Sequence, residues 1–254
     1  PKIKDVVDEA KIFDILEKTK TAPKNKILQI LEKAKKKKGL SLEEIGHLVN
    51  TNDSRLLDEI FRVAGKIKKE IYGERLVFFA PLYVSSFCVN DCKYCAFHQE
   101  NKTARKKLSL KEVAEQVKIL EDMGHKRLLL ELGEHPAENP IDYVVEVIKT
   151  IYNTKSKNGS IRRVNVNIAA TTVKNYKKLK AAGIGTYQLF QETYHRETYQ
   201  NMHKGPKADY ERQLFAHDRA FKAGIDDLGL GALFGLYNWK FEVLALVSHA
   251  NYLD

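Results

Sequence analysis

Residues 76–95 read Leu76-Val-Phe-Phe-Ala-Pro-Leu-Tyr-Val84-Ser-Ser-Phe-Cys88-Val-Asn-Asp-Cys92-Lys-Tyr-Cys95. The first part, from Leu76 to Val84, is a nearly continuous apolar run with the length of one strand. Such a run predicts a strand that is covered on both faces, as in a parallel sheet. The second part holds all three cysteines of the chain. The sequence therefore predicts a cysteine loop directly after the first strand.

Strand and helix patterns alternate through the rest of the chain. Further strands are predicted at 127–133, 163–169, 186–190 and 228–234. Helices are predicted at 109–124, 140–152, 172–182, 209–224 and 241–253. Repeated right-handed βα units with mainly apolar strands are typical of a parallel sheet curled into a barrel. We therefore expect an α/β fold, a (β/α) TIM-type barrel of which this chain covers about five βα units.

The segment before Arg75 has a different period. Apolar residues such as Ile12, Ile15 and Leu16 recur at steps of three and four, which indicates amphipathic helices. Ser41 and Glu44 have the spacing of a helix-starting capping box. We expect an N-terminal helical extension at residues 1–74 and one barrel domain at residues 75–254.

Composition limits the classes of function. The net charge is +10, but the lysines are spread along predicted helix faces and interleaved with glutamate, which predicts solvated surfaces and no nucleic-acid partner. No apolar run is long enough for a membrane span, and no apolar core of a secretory signal stands at the start. Three reduced thiols suit a cytoplasmic location.

Three thiols within eight residues leave a metal site one ligand short. A four-iron cluster normally has four thiolate ligands, so three thiolates would leave one iron open for a small molecule. The alternative is a structural zinc site completed by His98, three residues after Cys95. The residues by themselves leave both readings open.

Polar or glycine-containing segments follow the predicted strands. In a barrel, the loops after the carboxyl ends of the strands form the active face, so we expect these segments to line one site. Gly133 would allow a close backbone approach, and the Glu134 carboxylate could accept hydrogen bonds from an ammonium group. The segments are Glu131-Leu-Gly-Glu134-His135, Asn165-x-Asn167, Gln191-Glu-Thr-Tyr-His195 and Gly229-Leu-Gly231-Ala-Leu-Phe-Gly235.

The C-x3-C-x2-C spacing, with Tyr94 directly before the third cysteine, resembles the signature of the radical S-adenosylmethionine (SAM) enzymes. Gly133-Glu134 resembles their GGE element, with Leu132 in place of the first glycine. Three further segments look like the aromatic amino-acid lyases of this superfamily: Gln191 to His195, Asp218 to Asp226 and Gly229 to Leu236. The run from Arg163 to Thr172 and the long helical N-terminus look closer to the FeFe-hydrogenase maturases of the HydG family than to the ThiH family of the thiamin pathway.

This resemblance implies ligands and cofactor contacts. Cys88, Cys92 and Cys95 would ligate one 4Fe-4S cluster, whose fourth iron binds SAM. Glu134 would hold the SAM amine, and Arg219 the SAM carboxylate unless it is only a surface arginine of a helix. Glu192 would accept from the ribose or the amine, while Tyr94 and the glycines at 229–235 would flank the adenine. The implied cofactor-binding residues are Tyr94, Glu134, Asn167, Glu192, Arg219, Gly229 and Gly231.

The resemblance also implies an activity. Members of the HydG family cleave the Cα–Cβ bond of L-tyrosine to p-cresol and dehydroglycine, which leads to carbon monoxide and cyanide for the hydrogenase cofactor. Their partners would be an electron donor such as ferredoxin or flavodoxin and other hydrogenase maturation proteins. ThiH-type chemistry, which stops at dehydroglycine, and a zinc-binding structural protein are the alternatives.

The sequence also departs from the family. Family members continue beyond the position of Asp254, and the maturases carry further cysteines for an auxiliary iron–sulfur cluster, which these 254 residues do not encode. We expect either a part of a longer protein or a truncated homologue, inactive in this form. Substrate-anchoring residues, the delivery partner and the oligomeric state are not predicted by the sequence.

Overall fold

The computed structural model describes residues 2–254. They group into two compact units. The first contains the described residues up to Val77 together with 193–195 and 232–254, and the second contains 78–192 and 196–231. The division into domains at 1–74 and 75–254 stays a prediction.

The elements are as follows. The helices are α1 (Ile3–Val6), α2 (Glu9–Lys18), α3 (Lys24–Ala34), α4 (Leu42–Val49), α5 (Ser54–Tyr72), α6 (Leu110–Asp122), α7 (Ile141–Asn153), α8 (Val173–Ala181), α9 (Arg196–Met202), α10 (Tyr210–Leu214), α11 (Ala216–Lys222) and α12 (Trp239–Leu253). The strands are β1 (Ala80–Ser85), β2 (Arg127–Leu132), β3 (Lys155–Ser156), β4 (Gly159–Ser160), β5 (Arg163–Asn167), β6 (Tyr187–Gln188) and β7 (Leu228–Gly229).

The first unit is helical, as the sequence predicts. The Ser41 hydroxyl accepts from the amide of Glu44 and the Glu44 carboxylate accepts from the amide of Ser41, so the predicted capping box starts α4. Ile27 of α3 and Val63 of α5 pack in one apolar cluster. None of the helices formed by residues 2–254 is long and apolar enough to cross a membrane.

The second unit is built on a five-stranded sheet with the order β1-β2-β5-β6-β7. Each neighbouring pair of strands is parallel, and at least one helix lies between consecutive strands of the sheet. The predicted alternation of strand and helix is therefore confirmed. Parallel strands place their carboxyl ends at one edge, which brings the loops after β1, β2, β5, β6 and β7 to the same side.

The first strand differs from its prediction in two respects. It begins at Ala80, and the apolar residues Leu76 to Phe79 before it are exposed. Within β1, Leu82 is buried and Tyr83 is exposed, so only one face of the strand is covered. An apolar run alone cannot report which neighbours a segment meets, and this run overestimated both the length and the burial of the strand.

The later elements are shorter than predicted. Only two residues each are regular strand in β6 and β7, although the ladder continues, since the amide of Gln191 donates to the carbonyl of Gly231 at 3.0 Å. The predicted helix at 209–224 is broken at Phe215, whose φ of −89° and ψ of 18° separate α10 from α11. The β3–β4 hairpin and α9 were not predicted.

Candidate functional site

The cysteine loop folds back on itself directly after β1. The amide of Cys95 donates to the carbonyl of Cys92 at 3.0 Å, and the amide of Gln99 donates to the carbonyl of Asn90 at 2.8 Å. The Cys92 thiol is buried, while those of Cys88 and Cys95 are partly exposed. The sequence prediction of a cysteine loop at the end of the first strand is thereby confirmed.

Arg105 holds the far side of this loop. Its Nη1 donates to the carbonyls of Ser86 and Phe97, each at 2.8 Å. Its Nη2 donates to the carbonyls of His98 at 2.7 Å and Asn101 at 3.0 Å. A planar guanidinium with several fixed donors suits this role, because it can bridge separate carbonyls at the same time. The chain after the last cysteine is thus tied to the end of β1.

A second segment, Met202 to Lys207, lies against the near side of the loop. The amide of Lys93 donates to the carbonyl of Met202 at 3.1 Å, and Asp91 and Lys204 exchange backbone hydrogen bonds at 3.2 Å. These contacts join residues that are more than a hundred positions apart in the sequence. They tie the backbone of the cysteine loop to this segment.

Tyr94 is fixed by a buried histidine. Nδ1 of His203 donates to the carbonyl of Tyr199 at 2.7 Å, so its Nε2 accepts from the Tyr94 hydroxyl at 2.6 Å. Burial lowers the pKa of His203 to about 4, and burial raises the pKa of Tyr94. Both side chains are therefore neutral at pH 7, and the Tyr94 hydroxyl is held by the buried ring of His203.

Gly133 lets the end of β2 pass against the cysteine loop. A Cβ atom there would lie 2.4 Å from the carbonyl oxygen of Phe87 and 2.9 Å from the Cβ of Cys88. The amide of Val89 donates to the carbonyl of Glu134 at 2.7 Å. The predicted reason for this glycine, close backbone approach, holds in the structure.

The Glu134 carboxylate has a partner on each oxygen. Nδ2 of Asn90 donates to Oε2 at 2.7 Å, and Nη2 of Arg212 donates to Oε1 at 2.5 Å. Asn90 is buried, and its Oδ1 accepts from the amide of Lys207 at 2.8 Å. Asn90 therefore joins the cysteine loop, the end of β2 and the 202–207 segment.

Arg212 and Arg219 contact each other, and both bind the backbone of the loop after β5. Arg219 donates through Nε to the carbonyl of Thr171 at 2.8 Å and through Nη2 to the carbonyl of Arg212. Arg212 donates to Glu134 and to the carbonyl of Ala170. Arg219 therefore braces the backbone of Arg212 and the loop after β5, while Arg212 reaches the carboxylate.

A cavity of about 330 Å³ opens beside Glu134 and Arg212. Its walls come from the loops after β2 and β5 and from the first turns of α7 and α8. It combines apolar walls with one carboxylate and one guanidinium, which suits a ligand that carries both an ammonium and a carboxylate group. The lining residues are Leu132, Gly133, Glu134, His135, Pro136, Asn139, Pro140, Ile141, Val144, Ile168, Ala169, Ala170, Thr171, Asn175 and Arg212.

Glu192 has a strained backbone at the end of the β6 ladder. Its φ of 71° is rare for a residue with a side chain and costs about 1–3 kcal/mol. Nζ of Lys207 donates to its Oε1 at 2.7 Å, and both side chains are largely buried. The ion pair fixes a carboxylate in a conformation that the chain would otherwise avoid.

A polar row crosses the sheet on the face opposite to the apolar core. Tyr83 of β1 is the register partner of Glu131 of β2, and Glu131 is the partner of Asn167 of β5. Burial raises the pKa of Glu131, while a hydrogen bond from Asn167 opposes the rise. The residues that alternate with this row, such as Leu130 and Val166, are buried.

Gly229 of β7 and Gly231, two residues after it, allow close packing with the neighbouring segment. A Cβ at Gly229 would lie 2.7 Å from the Cγ of Gln188, and one at Gly231 would lie 2.4 Å from the ring of Phe190. Gln188 and Phe190 therefore lie against these two glycines, and the predicted contact of the glycines with adenine stays a prediction. Gly235 and His195 belong to the first unit, where the His195 ring stacks on Tyr237 with centroids 3.8 Å apart.

The structure does not place His98 as a fourth zinc ligand beside the three cysteines. Among residues 2–254, no three His, Cys, Asp or Glu side chains are placed to share one metal ion. A cluster distributes its thiolates over several irons, so they need not converge on one atom. His98, the proposed fourth zinc ligand, is instead paired through Nδ1 with Asp91 at 2.5 Å. Burial raises the pKa of Cys92 to about 11, so metal binding would have to displace its proton.

Sequence reasoning missed several residues of this site. They are Tyr83, Asn90, Arg105, His203, Lys207 and Arg212. Each of them contacts a residue that is remote in sequence or a backbone carbonyl group. No pattern of residue spacing indicates such contacts. Only Asn90 had a local signal, since it lies between two cysteines of the motif.

The comparisons with known proteins agree with this geometry. The family model described as Radical SAM superfamily matches residues 82–247. The 2-iminoacetate synthase of Escherichia coli is 32% identical over 226 residues, which cover 88% of this chain and 58% of that protein. The [FeFe] hydrogenase maturase subunit HydE of Thermotoga maritima is 24% identical over 209 residues, or 82% of this chain and 57% of that protein.

Solved structures are also similar. A crystal structure of HydG, a maturase of the FeFe-hydrogenase, superposes with a TM-score of 0.96 at 60% identity and covers 98% of this chain and 55% of that chain. The structure of HydG from Carboxydothermus hydrogenoformans superposes with a TM-score of 0.89 at 44% identity. The match covers 98% of this chain and 58% of that chain. The chain thus spans a little more than half the length of these relatives. With its α/β, TIM-type fold and its cysteine loop after the first strand, the chain belongs to the radical SAM superfamily.

Proposed function

We propose that this chain is the barrel part of a radical SAM tyrosine lyase that acts in FeFe-hydrogenase maturation. One observation carries the proposal: 60% identity and a TM-score of 0.96 to a HydG structure over 98% of this chain. The reaction is cleavage of the Cα–Cβ bond of L-tyrosine to p-cresol and dehydroglycine, which leads to carbon monoxide and cyanide for the hydrogenase cofactor.

Cys88, Cys92 and Cys95 would hold a 4Fe-4S cluster. Such a cluster, once reduced, would pass one electron to bound SAM, and the cleavage of SAM would supply the radical that takes a hydrogen atom from the substrate. The three cysteines lie in a loop that Arg105 and Asn90 hold in shape, and this supports their role as ligands. An auxiliary cluster would need cysteines outside the present sequence.

Glu134 would hold the methionyl amine of SAM, because its carboxylate lines the cavity and is bonded to Asn90 of the cysteine loop. Arg212 is a better candidate than Arg219 for binding the methionyl carboxylate, since Arg212 lines the same cavity and contacts Glu134. Arg219, the arginine predicted for that role, would then act as a brace behind Arg212. A planar guanidinium can bind both oxygens of a carboxylate, which suits either residue.

The remaining contacts are proposed as follows. Glu192 would accept from the ribose or the amine, and its strained backbone supports a functional role. Tyr94 would flank the adenine, and its rigid contact with His203 would fix the ring in place. Asn167, Gly229 and Gly231 complete the proposed cofactor-binding set.

The polar row on the sheet face opposite to the apolar core would meet the amino-acid substrate. Tyr83, Glu131 and Asn167 supply a hydroxyl, a carboxylate and an amide on that face. Such groups can hydrogen-bond the charged ends of a free amino acid. The other partners would be an electron donor such as ferredoxin or flavodoxin and hydrogenase maturation proteins, in the cytoplasm.

A second candidate is the ThiH-type reaction, which ends at dehydroglycine. Two 2-iminoacetate synthases with 32% and 33% identity favour it as the alternative. The two reactions share the tyrosine cleavage and differ in the fate of dehydroglycine. The zinc-binding structural protein has no such support, because the chain belongs to the radical SAM superfamily and His98 is paired with Asp91.

The test is anaerobic reconstitution of the full-length protein with iron and sulfide, followed by SAM, reductant and tyrosine. We expect p-cresol, cyanide and carbon monoxide together. p-Cresol without cyanide or carbon monoxide would favour the ThiH-type reaction, and one bound zinc without SAM cleavage would favour the structural protein. Cys92→Ala should remove the absorbance of the cluster and SAM cleavage, and cleavage by this variant would contradict the ligand assignment.

A further inference from the structure

Positive charge is concentrated around the cysteine loop. Residues 86–108 and 202–207 contain seven Lys or Arg and two Asp or Glu, a net charge of +5. The whole chain has a net charge of +10. Half of the net charge therefore lies in 29 of the 254 residues, and these are the two segments that meet at the predicted cluster.

Four lysines of these segments point into solvent: Lys93, Lys102, Lys106 and Lys204. We name them the cysteine-loop patch. Lys204 is shared between Asp91 and Glu100, and Lys106 pairs with Glu112. Lys93 and Lys102 form no ion pair with any residue in the described range 2–254, so their charge is available to a partner.

The patch sits on a rigid base. The amide of Lys93 is bonded to the carbonyl of Met202, and the carbonyl of Asn101, beside Lys102, is bonded to Arg105. Lys93 directly follows Cys92, and Cys95 is two residues further. A molecule that docks on the patch would therefore approach the cluster from the outer side of its own loop.

We propose that the cysteine-loop patch docks an acidic electron-transfer protein, a ferredoxin or a flavodoxin, that reduces the cluster. The proposal rests on the proposed function, which needs one electron for each SAM cleaved. Complementary charge speeds such encounters and orients them, and electron-transfer complexes are small and transient. The donor loses one electron and the cluster gains it, with no bond made or broken in this chain.

The test compares two double variants of the full-length reconstituted protein. Lys93→Glu with Lys102→Glu reverses the two unpaired charges of the patch. Lys118→Glu with Lys177→Glu makes the same change of net charge on α6 and α8, where both lysines are exposed and form no ion pair with residues 2–254. Circular dichroism and thermal melting check that both variants are folded.

The first measurement is the affinity for an acidic flavodoxin at low and high ionic strength. We expect the patch variant to bind about tenfold more weakly than the wild type at low ionic strength, with a smaller difference at high ionic strength. The control variant should stay within about twofold. Equal weakening in both variants would mean a non-specific effect of net charge and would overturn the proposal.

The second measurement separates this proposal from the proposed function. After chemical reduction with dithionite, both variants should cleave SAM to the same extent as the wild type, whereas flavodoxin should support the patch variant poorly. If the wild type does not cleave SAM after reduction with dithionite, that result counts against the proposed function. The docking proposal would be overturned if flavodoxin drove SAM cleavage in the patch variant at the wild-type rate. It would also be overturned if the patch variant bound an RNA oligonucleotide more weakly but bound flavodoxin as well as the wild type does.

Discussion

Glu131 of β2 and Asn167 of β5 are register partners, and Nδ2 of Asn167 donates to Oε2 of Glu131 at 3.0 Å. The pair places a carboxylate and an amide next to each other on the sheet face opposite to the apolar core. Burial alone would disfavour the charged carboxylate, and the hydrogen bond from the amide opposes that effect. The hydrogen bond thereby fixes the two polar groups relative to each other.

The first prediction concerns the coupling of this pair. Asn167→Leu and Glu131→Leu, made separately and together, should give a coupling energy of about 1 kcal/mol, because a hydrogen bond to a charged group is lost once and not twice. Urea unfolding of the cluster-free protein measures it. Additivity of the two single effects would mean that the hydrogen bond contributes nothing to stability.

The second prediction concerns glycine. Gly133→Ala should lower the free energy of unfolding by about 2 kcal/mol, because the new methyl group would meet a backbone carbonyl that cannot move freely. It should also speed hydrogen exchange at Val89, whose amide bonds to the carbonyl of Glu134.

Gly65 is the matched control for that change. It lies inside α5, and a Cβ there meets no atom within 4 Å. Gly65→Ala should therefore raise stability by about 0.5–1 kcal/mol through its better helix propensity. Similar effects at Gly133 and Gly65 would contradict the close approach at the cysteine loop.

The sequence predicted those features that depend on local signals. The Ser109 capping box starts α6, and Thr172 caps α8, because both use partners three residues away. The cysteine loop after β1 was predicted for the same reason. Local geometry is written in short spacings, so a pattern of residues is enough to find it.

Contacts between distant segments were not predicted. The bond from Arg212 to Glu134 joins residues 78 positions apart, and the ion pair of Lys207 with Glu192 depends on a backbone conformation that no spacing reveals. The exposure of Leu76 to Phe79 was missed because apolar character indicates a preference for burial and not the presence of neighbours.

The third prediction concerns the four carbonyls bound by Arg105. Arg105→Lys should destabilise the cluster-free protein by about 2 kcal/mol, because a lysine has one compact charge and cannot bridge four separate acceptors. Hydrogen exchange should increase in residues 96–101, and less iron should be taken up on reconstitution.

Arg127→Lys provides the control for Arg105. Arg127 is an exposed residue at the start of β2, and its side chain forms no hydrogen bond or ion pair with residues 2–254. The substitution Arg127→Lys should leave the free energy of unfolding, hydrogen exchange and iron uptake unchanged. Normal exchange and iron uptake in Arg105→Lys would show that the loop keeps its shape without the guanidinium.

The fourth prediction concerns His203, whose pKa is lowered to about 4 by burial. An unfolded histidine titrates near 6.5, so between these two values the unfolded chain binds more protons than the folded chain. The contribution of neutral His203 is thus fully present above the unfolded pKa and is lost as the pH falls below it. The free energy of unfolding should decrease by about 2 kcal/mol between pH 7 and pH 5 because of this residue.

His203→Gln isolates that contribution. A glutamine can still accept a hydrogen bond from the Tyr94 hydroxyl, but it does not titrate. His217, which also has a pKa near 4, contributes equally to both proteins and cancels in the difference. The difference between wild type and variant, measured by urea unfolding of the cluster-free protein, should therefore become smaller towards pH 5. Parallel pH curves would mean that His203 is protonated as easily in the folded chain as in the unfolded one. That result would contradict a buried ring whose Nε2 accepts from Tyr94.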